Sequence, residues 1–181
     1  LGVSLMIAMF VLSRDQTAQA VLPFDKNQFA DELAKQQINQ LYYSGQTGAG
    51  DELALSAQSA VEGFDGQKML EMRAVSASIK GKNGLEIEAT AQFGQYLYSE
   101  KLLKMTGAVL ISSSSGYKLS SPELRILIDG TYIFGEGPIE GLSPMGKIYA
   151  GRMEITRKNA KAPMQLWFGE KVVLDYEPSE I

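Results

Sequence analysis

From Ile38 onward the chain alternates apolar and polar residues at period two, the spacing of a half-buried β-strand. Leu53, Leu55 and Ala57 fall on one side, with Glu52 and Ser56 opposite. Leu70, Met72 and Ala74 oppose Glu71 and Arg73, and Leu85, Ile87 and Ala89 oppose Glu86 and Glu88. Leu103, Met105, Val109 and Ile111 oppose Lys104 and Thr106. Beyond Pro122, which suits a bulge or an edge strand, Leu124, Ile126 and Ile128 oppose Arg125. Ile148 and Ala150 extend the same face, and Met153 and Ile155 stay on it only with a bulge at Gly151. The last strands put Met164, Leu166 and Phe168, then Val172 and Leu174, on one side, with Trp167 outward. A short strand at Leu41, Tyr42 and Tyr43 precedes all of these and ends in the turn G-Q-T-G-A-G.

The pattern repeats about every 32 residues: L-A-L-S-A begins at Leu53, L-E-I-E-A at Leu85 and Y-K-L-S-S at Tyr117, with a looser copy, K-I-Y-A-G, at Lys147. The first two copies are followed by K-M-L-E-M-R-A at Lys68 and K-L-L-K-M-T-G at Lys101. Fixed-period similarity means stacked supersecondary units. Hairpin-like turns separate the strands at F-D-G-Q (from Phe64), G-K-N-G (from Gly81), S-S-S-S-G (from Ser112) and I-D-G-T (from Ile128). Many strands on short turns, with no long helical period, predict an all-β antiparallel fold closing as a sandwich or jelly roll.

Composition narrows the chemistry. The 181 residues suffice for one domain with a sizeable core. A net charge of −4 argues against a nucleic-acid partner and against an anionic membrane surface. The chain has no histidine and no cysteine. That removes the commonest general base, thiol nucleophiles, Ser–His arrangements, disulfides and nearly every zinc site, so no cofactor or catalytic residue is expected. Carboxylates could still bind calcium or act as a pair, but Glu86 and Glu88 read as the solvated side of a strand rather than as a pair across a cleft. G-E-G-P-I-E-G, from Gly135 to Gly141, matches neither the dinucleotide fingerprint nor the P-loop and reads as a structural turn. Ser112 to Ser115 have no base to activate them, Asp129 reads as a turn residue, and Trp167 as an exposed aromatic or an interface marker.

The apolar face is the remaining candidate. It is either the dry core of a β-sandwich or the lining of an incompletely closed trough for acyl chains, each buried methylene contributing about 0.8 kcal/mol. Its residues are mixed in size, with Ala57, Ala74 and Ala89 beside Met72, Met105 and Phe168, and methionine adapts to irregular apolar ligands. Periodicity alone does not separate the two.

The N-terminus opens with LGVSLMIAMFVL, an uncharged run that as a helix would span about 18 Å of a roughly 30 Å hydrocarbon core. It reads as a membrane anchor cut at its front, as a signal-peptide core with A-Q-A at Ala18 to Ala20 resembling a cleavage site, or as a buried helix. Either of the first two exports the rest of the chain. Residues 14–37 are polar and suit a short weak helix, with Phe29 and Leu33 at i, i+4, or a tether. The expected division is an anchor over 1–13, a linker over 14–37 and a β-domain over 38–177.

The runs S-S-S-S-G-Y-K-L-S-S-P-E-L-R-I, G-E-G-P-I-E-G and M-G-K-I-Y-A-G-R-M-E-I resemble the LptC family, the C components of the bacterial lipopolysaccharide transport bridge, in the form found in alphaproteobacteria. G-L-E-I-E-A-T-A-Q-F-G-Q-Y and K-L-L-K-M-T-G-A-V fit the wider OstA-like periplasmic group. The resemblance implies a semi-open antiparallel β-jelly roll behind one N-terminal transmembrane helix, at the inner membrane with its main domain in the periplasm. It implies lipopolysaccharide taken from an inner-membrane ABC-type transporter and passed to a soluble bridge protein of the same fold, with no chemistry on the lipid. Combined with strand parity, it assigns acyl contact to Leu55, Leu70, Met72, Leu85, Ile87, Leu103, Met105, Val109, Ile111, Ile126, Ile148 and Phe168. It also assigns partner pairing to the first strand, at Leu41 and Tyr43, and to the last, at Val172 and Leu174. The competing expectation is a structural periplasmic module whose apolar face is closed core and whose work is protein–protein contact.

Overall fold

A computed structural model describes residues 38–64, 68–128, 132–158 and 162–176. The expected anchor and linker, Asp129, and the tips of the turns at residues 65–67 and 129–131 lie outside them.

Ten strands follow one another: β1 (Ile38–Gln46), β2 (Glu52–Phe64), β3 (Lys68–Lys80), β4 (Glu86–Leu97), β5 (Leu102–Ser113), β6 (Lys118–Leu127), β7 (Tyr132–Ser143), β8 (Gly146–Thr156), β9 (Gln165–Gly169) and β10 (Val173–Tyr176). Each of the first eight pairs antiparallel with the next. β9 pairs with the C-terminal half of β8 and β10 with its N-terminal half, so the two together form the last edge of one continuous meander. The repeat of about 32 residues is therefore one hairpin, a strand out and a strand back.

Most strands are 10 to 13 residues long and continuous, yet nearly every one is interrupted at its middle. In β1 to β4 the regular pairing skips Gln40, Gln58, Ala74 and Gln92, with φ of 63° at Gln40 and 49° at Ala74. Further along, the register shifts between Thr90 and Phe93, Thr106 and Val109, Ser120 and Glu123, and Glu136 and Ile139. Gly107 and Ala108 (φ 80° and 49°), Pro122, and Gly137 (φ 99°) with Pro138 occupy those shifts. At the far edge the Gly151 N–H donates to the Glu170 carbonyl where β9 gives way to β10. These positions neighbour one another from strand to strand and form a single crease across the sheet. Bulges bend a strand and sharpen its twist, so a row of them folds the sheet along that row.

One contact shows how far the fold goes. Asp51 precedes the start of β2, and Arg157 follows the end of β8, at the opposite end of the strands. In a flat sheet they would lie about 40 Å apart along the strands and about 29 Å across them. Their side chains meet at 2.5 Å. The sheet is doubled over, and its two halves face each other. We call the half holding Glu52–Ala57 and Val75–Lys80 the upper leaf, and the half holding Arg73 to Lys68 and Leu102–Thr106 the lower leaf.

The crease corrects the parity reading at three places. Ala74, expected inward with Leu70 and Met72, is exposed, and the inward set resumes as Val75, Ala77 and Ile79. A residue in the left-handed region turns the side-chain direction over, so parity restarts there. G-E-G-P-I-E-G is not a turn; it lies within β7, with its bulge at the crease. Val172, expected in a strand on one side with Leu174, lies instead in the bend before β10, and both are exposed. The expected bulge at Pro122 is present; the break expected at Gly151 falls where Gly137 and Pro138 of β7 oppose it, and Met153 and Ile155 lie inside.

Candidate functional site

The inner face is apolar from β2 to β8. Leu103, Met105, Val109 and Met153 are 0% exposed and form its centre. Leu55, Leu70, Met72, Ile87, Ile111, Ile126 and Ile148 are buried in the same cluster, with Leu85 and Phe168 half-buried against it. The whole set proposed for acyl contact thus shares one interior. Parity missed Val75, Ala77 and Ile79, whose own V-S-A-S-I alternation carries the signal once the break at Ala74 is allowed. It also passed over Leu119, Ile133 and Ile139, which line the inside from β6 and β7.

The two leaves differ in texture. The upper leaf brings small residues inward, among them Ala57, Ala77, Ala89 and Ala91. The lower leaf brings Met72, Met105 and Met153, with Leu103 and Leu124. Flexible thioethers in one wall make an interface that repacks at low cost. Between the leaves lies a cavity of about 20 Å³, walled by Leu53, Ile79 and Ile87 above and by Leu103, Ile126 and Ile133 below. That is room for a single water-sized body, so the leaves leave little space between them here.

Three groups of contacts line the rim; the first lies within the lower leaf and the other two join the leaves. On the β1 side, Tyr96 and Tyr98 pack edge to face with centroids 5.2 Å apart. Burial raises both phenol pKa values above their ordinary value; Tyr43 adds to the shift at Tyr96, and Glu62 and Tyr96 add to that at Tyr98. At the β5–β6 turn, Tyr117 rests against Phe168 of β9, centroids 6.3 Å apart. The third is Asp51 with Arg157. Thr47 Oγ1 donates to Asp51 Oδ2 at 3.3 Å, and the Asp51 backbone N–H donates back to Thr47 Oγ1 at 3.1 Å, so the turn fixes the carboxylate. Arg157 Nη2 donates to the same Oδ2 from the other leaf. No sequence signal pointed to this pair, since its members are 106 residues apart.

The outer face is polar and braced. Lys104 and Arg125 flank Glu123 at 2.9 and 2.7 Å. Burial pushes the Glu123 carboxyl up, but the hydrogen bonds and charges of its two partners outweigh this and hold it below its ordinary value. Glu86 and Glu88 face solvent, and Glu88 accepts a hydrogen bond from Ser76 Oγ at 3.2 Å. Among the described residues no further strand pairs with β1 or β10 at the two ends of the sheet; β1 exposes Tyr42, and β10 exposes Val173, Leu174 and Tyr176. Leu41 and Tyr43 of β1 turn inward, half-buried against the core. Among the described residues no helix is long and apolar enough to cross a membrane.

Fold and interior define a doubled single-sheet β-trough, apolar inside, whose end strands have no further pairing partner among the described residues. The family model described as lipopolysaccharide-assembly, LptC-related, matches residues 7–165. The chain belongs to the LptC family and so has a role in lipopolysaccharide transport; the family comprises transport components, not enzymes. No curated protein matches the chain.

Proposed function

We propose that the protein accepts lipopolysaccharide from an inner-membrane ABC-type extractor and passes it, between its two leaves, to a soluble periplasmic bridge protein of the same fold. The Leu1–Leu12 run anchors it in the inner membrane with the β-domain in the periplasm. The observation that carries this reading is the apolar interior of a sheet whose two edges have no further strand paired to them among the described residues. A lipid entering between the leaves exchanges leaf–leaf contacts for acyl–leaf contacts of the same kind. The net gain is then far below the gross ~0.8 kcal/mol per methylene. That suits a conduit, which must release what it binds. Open edges suit strand addition by partners: β1 toward the extractor and β10 toward the bridge.

The complete burial of Leu103, Met105, Val109 and Met153 favours the second reading, a closed core in an interaction module. Photoreactive side chains at Ile87, Met105 and Ile126, with Glu88 and Lys104 as outward controls, separate the two. Lipopolysaccharide adducts at the inward sites alone are expected. Their absence in a folded, membrane-anchored protein leaves only the interaction module.

A further inference from the structure

We propose that Asp51 and Arg157 form a latch across the mouth of the trough, closing the upper leaf onto the lower when no acyl chain lies between them and parting to admit one. This rests on the conduit reading above. Three observations carry it.

The first is position. The pair joins the outer tip of one leaf to the outer tip of the other, six strands along the sheet. Any parting of the leaves at that mouth must separate these two side chains. The second is burial. The side chains are 6% and 4% exposed, and among the ion pairs described here no other has both partners so deeply buried. A buried pair can be broken from one side, by removing either charge, with a large effect.

The third is incompleteness. Arg157 Nε is buried and has no hydrogen-bond partner. A guanidinium that can present a two-nitrogen fork to a carboxylate here uses Nη2 alone on Asp51, whose other neighbour is Thr47. An unmade buried donor costs the closed state its full desolvation penalty, and opening hydrates it. The pair therefore holds the mouth shut without locking it. The carboxylate is anchored by its own turn, so the arginine arm is the part that leaves.

The test uses the absence of native cysteine. Single cysteines at Ile79, on the upper-leaf rim, and at Val109, beside the crease, are placed in the full chain with the latch intact, with Arg157→Gln and with Asp51→Asn. Maleimide labelling rates are measured without lipid. Latch opening accelerates labelling at Ile79→Cys at least tenfold and leaves Val109→Cys unchanged, whereas global unfolding accelerates both. A second variant, Asp51→Leu with Arg157→Leu, replaces the pair with apolar contact and slows Ile79→Cys labelling below that of the native pair. In parallel, lipopolysaccharide photo-adducts are followed at Ile87 in each latch background. Faster rim labelling together with faster adduct formation in the single variants is the expected result. Unchanged rim labelling, or equal acceleration at both cysteines, overturns the latch and leaves the conduit standing on its wild-type adducts. Faster rim labelling with no adduct in any background overturns the conduit reading, and the latch as a lipid gate with it.

Discussion

At the scale of single residues, Gly141 shows what an absent methyl permits. A Cβ there would lie 2.0 Å from the Lys118 carbonyl oxygen and 2.9 Å from the Leu119 Cα. Both are backbone atoms of the neighbouring strand, which cannot swing aside as a side-chain tip can. Gly141→Ala is expected to cost about 1–3 kcal/mol, read as a lower urea midpoint at unchanged slope. An unchanged midpoint would mean that β6 and β7 separate freely at this point. The Gly- and Pro-rich stretch around it was visible in the sequence, but as a turn. Glycine serves both sharp turns and close backbone approach, and only the register of β7 against β6 tells which one applies. Asp51 and Arg157 were not legible at all. Neither belongs to a motif, and nothing in a one-dimensional pattern brings together residues 106 positions apart.

At the scale of elements, the decisive feature is the crease. The strands were legible because period-two alternation follows directly from the pleat. Their mid-strand reversals were not, except where proline or glycine marked them at Pro122 and Gly151. Ala74 gives no such mark and Ala108 only the glycine before it, although both sit at φ 49°. An L-residue pays roughly 1–2 kcal/mol for that region, and glycine adds back about 0.5–1 in chain entropy. Ala74→Gly and Ala108→Gly should therefore each stabilise the domain by about 0.5 kcal/mol, as a raised midpoint in urea. Ala91→Gly, buried with no unusual dihedral, should lower it. Loss of stability in all three would show that the crease is held by packing and not by backbone conformation.

At the scale of the whole molecule, one sheet serves as both walls, and the proposed partners would pair with its two end strands. β10 exposes Leu174 at its rim. Leu174→Lys should leave the melting transition within a few tenths of a kcal/mol of wild type, as surface changes generally do. It should also abolish pull-down of the bridge protein; binding that survives it would move the bridge contact to another edge. What the sequence by itself determined is the all-β class, the hairpin repeat, the solvent and core sides of most strands, and the family. All of these depend on local alternation and on short-range turn chemistry. Only the tertiary structure decided that the sheet doubles over along one crease, that the buried methionines gather in the lower leaf, and that Asp51 meets Arg157 at its mouth. The physical reason is that a fold line arises from backbone dihedrals aligned across neighbouring strands, and cross-leaf contacts from its closure. Neither is encoded in the spacing of residues along the chain.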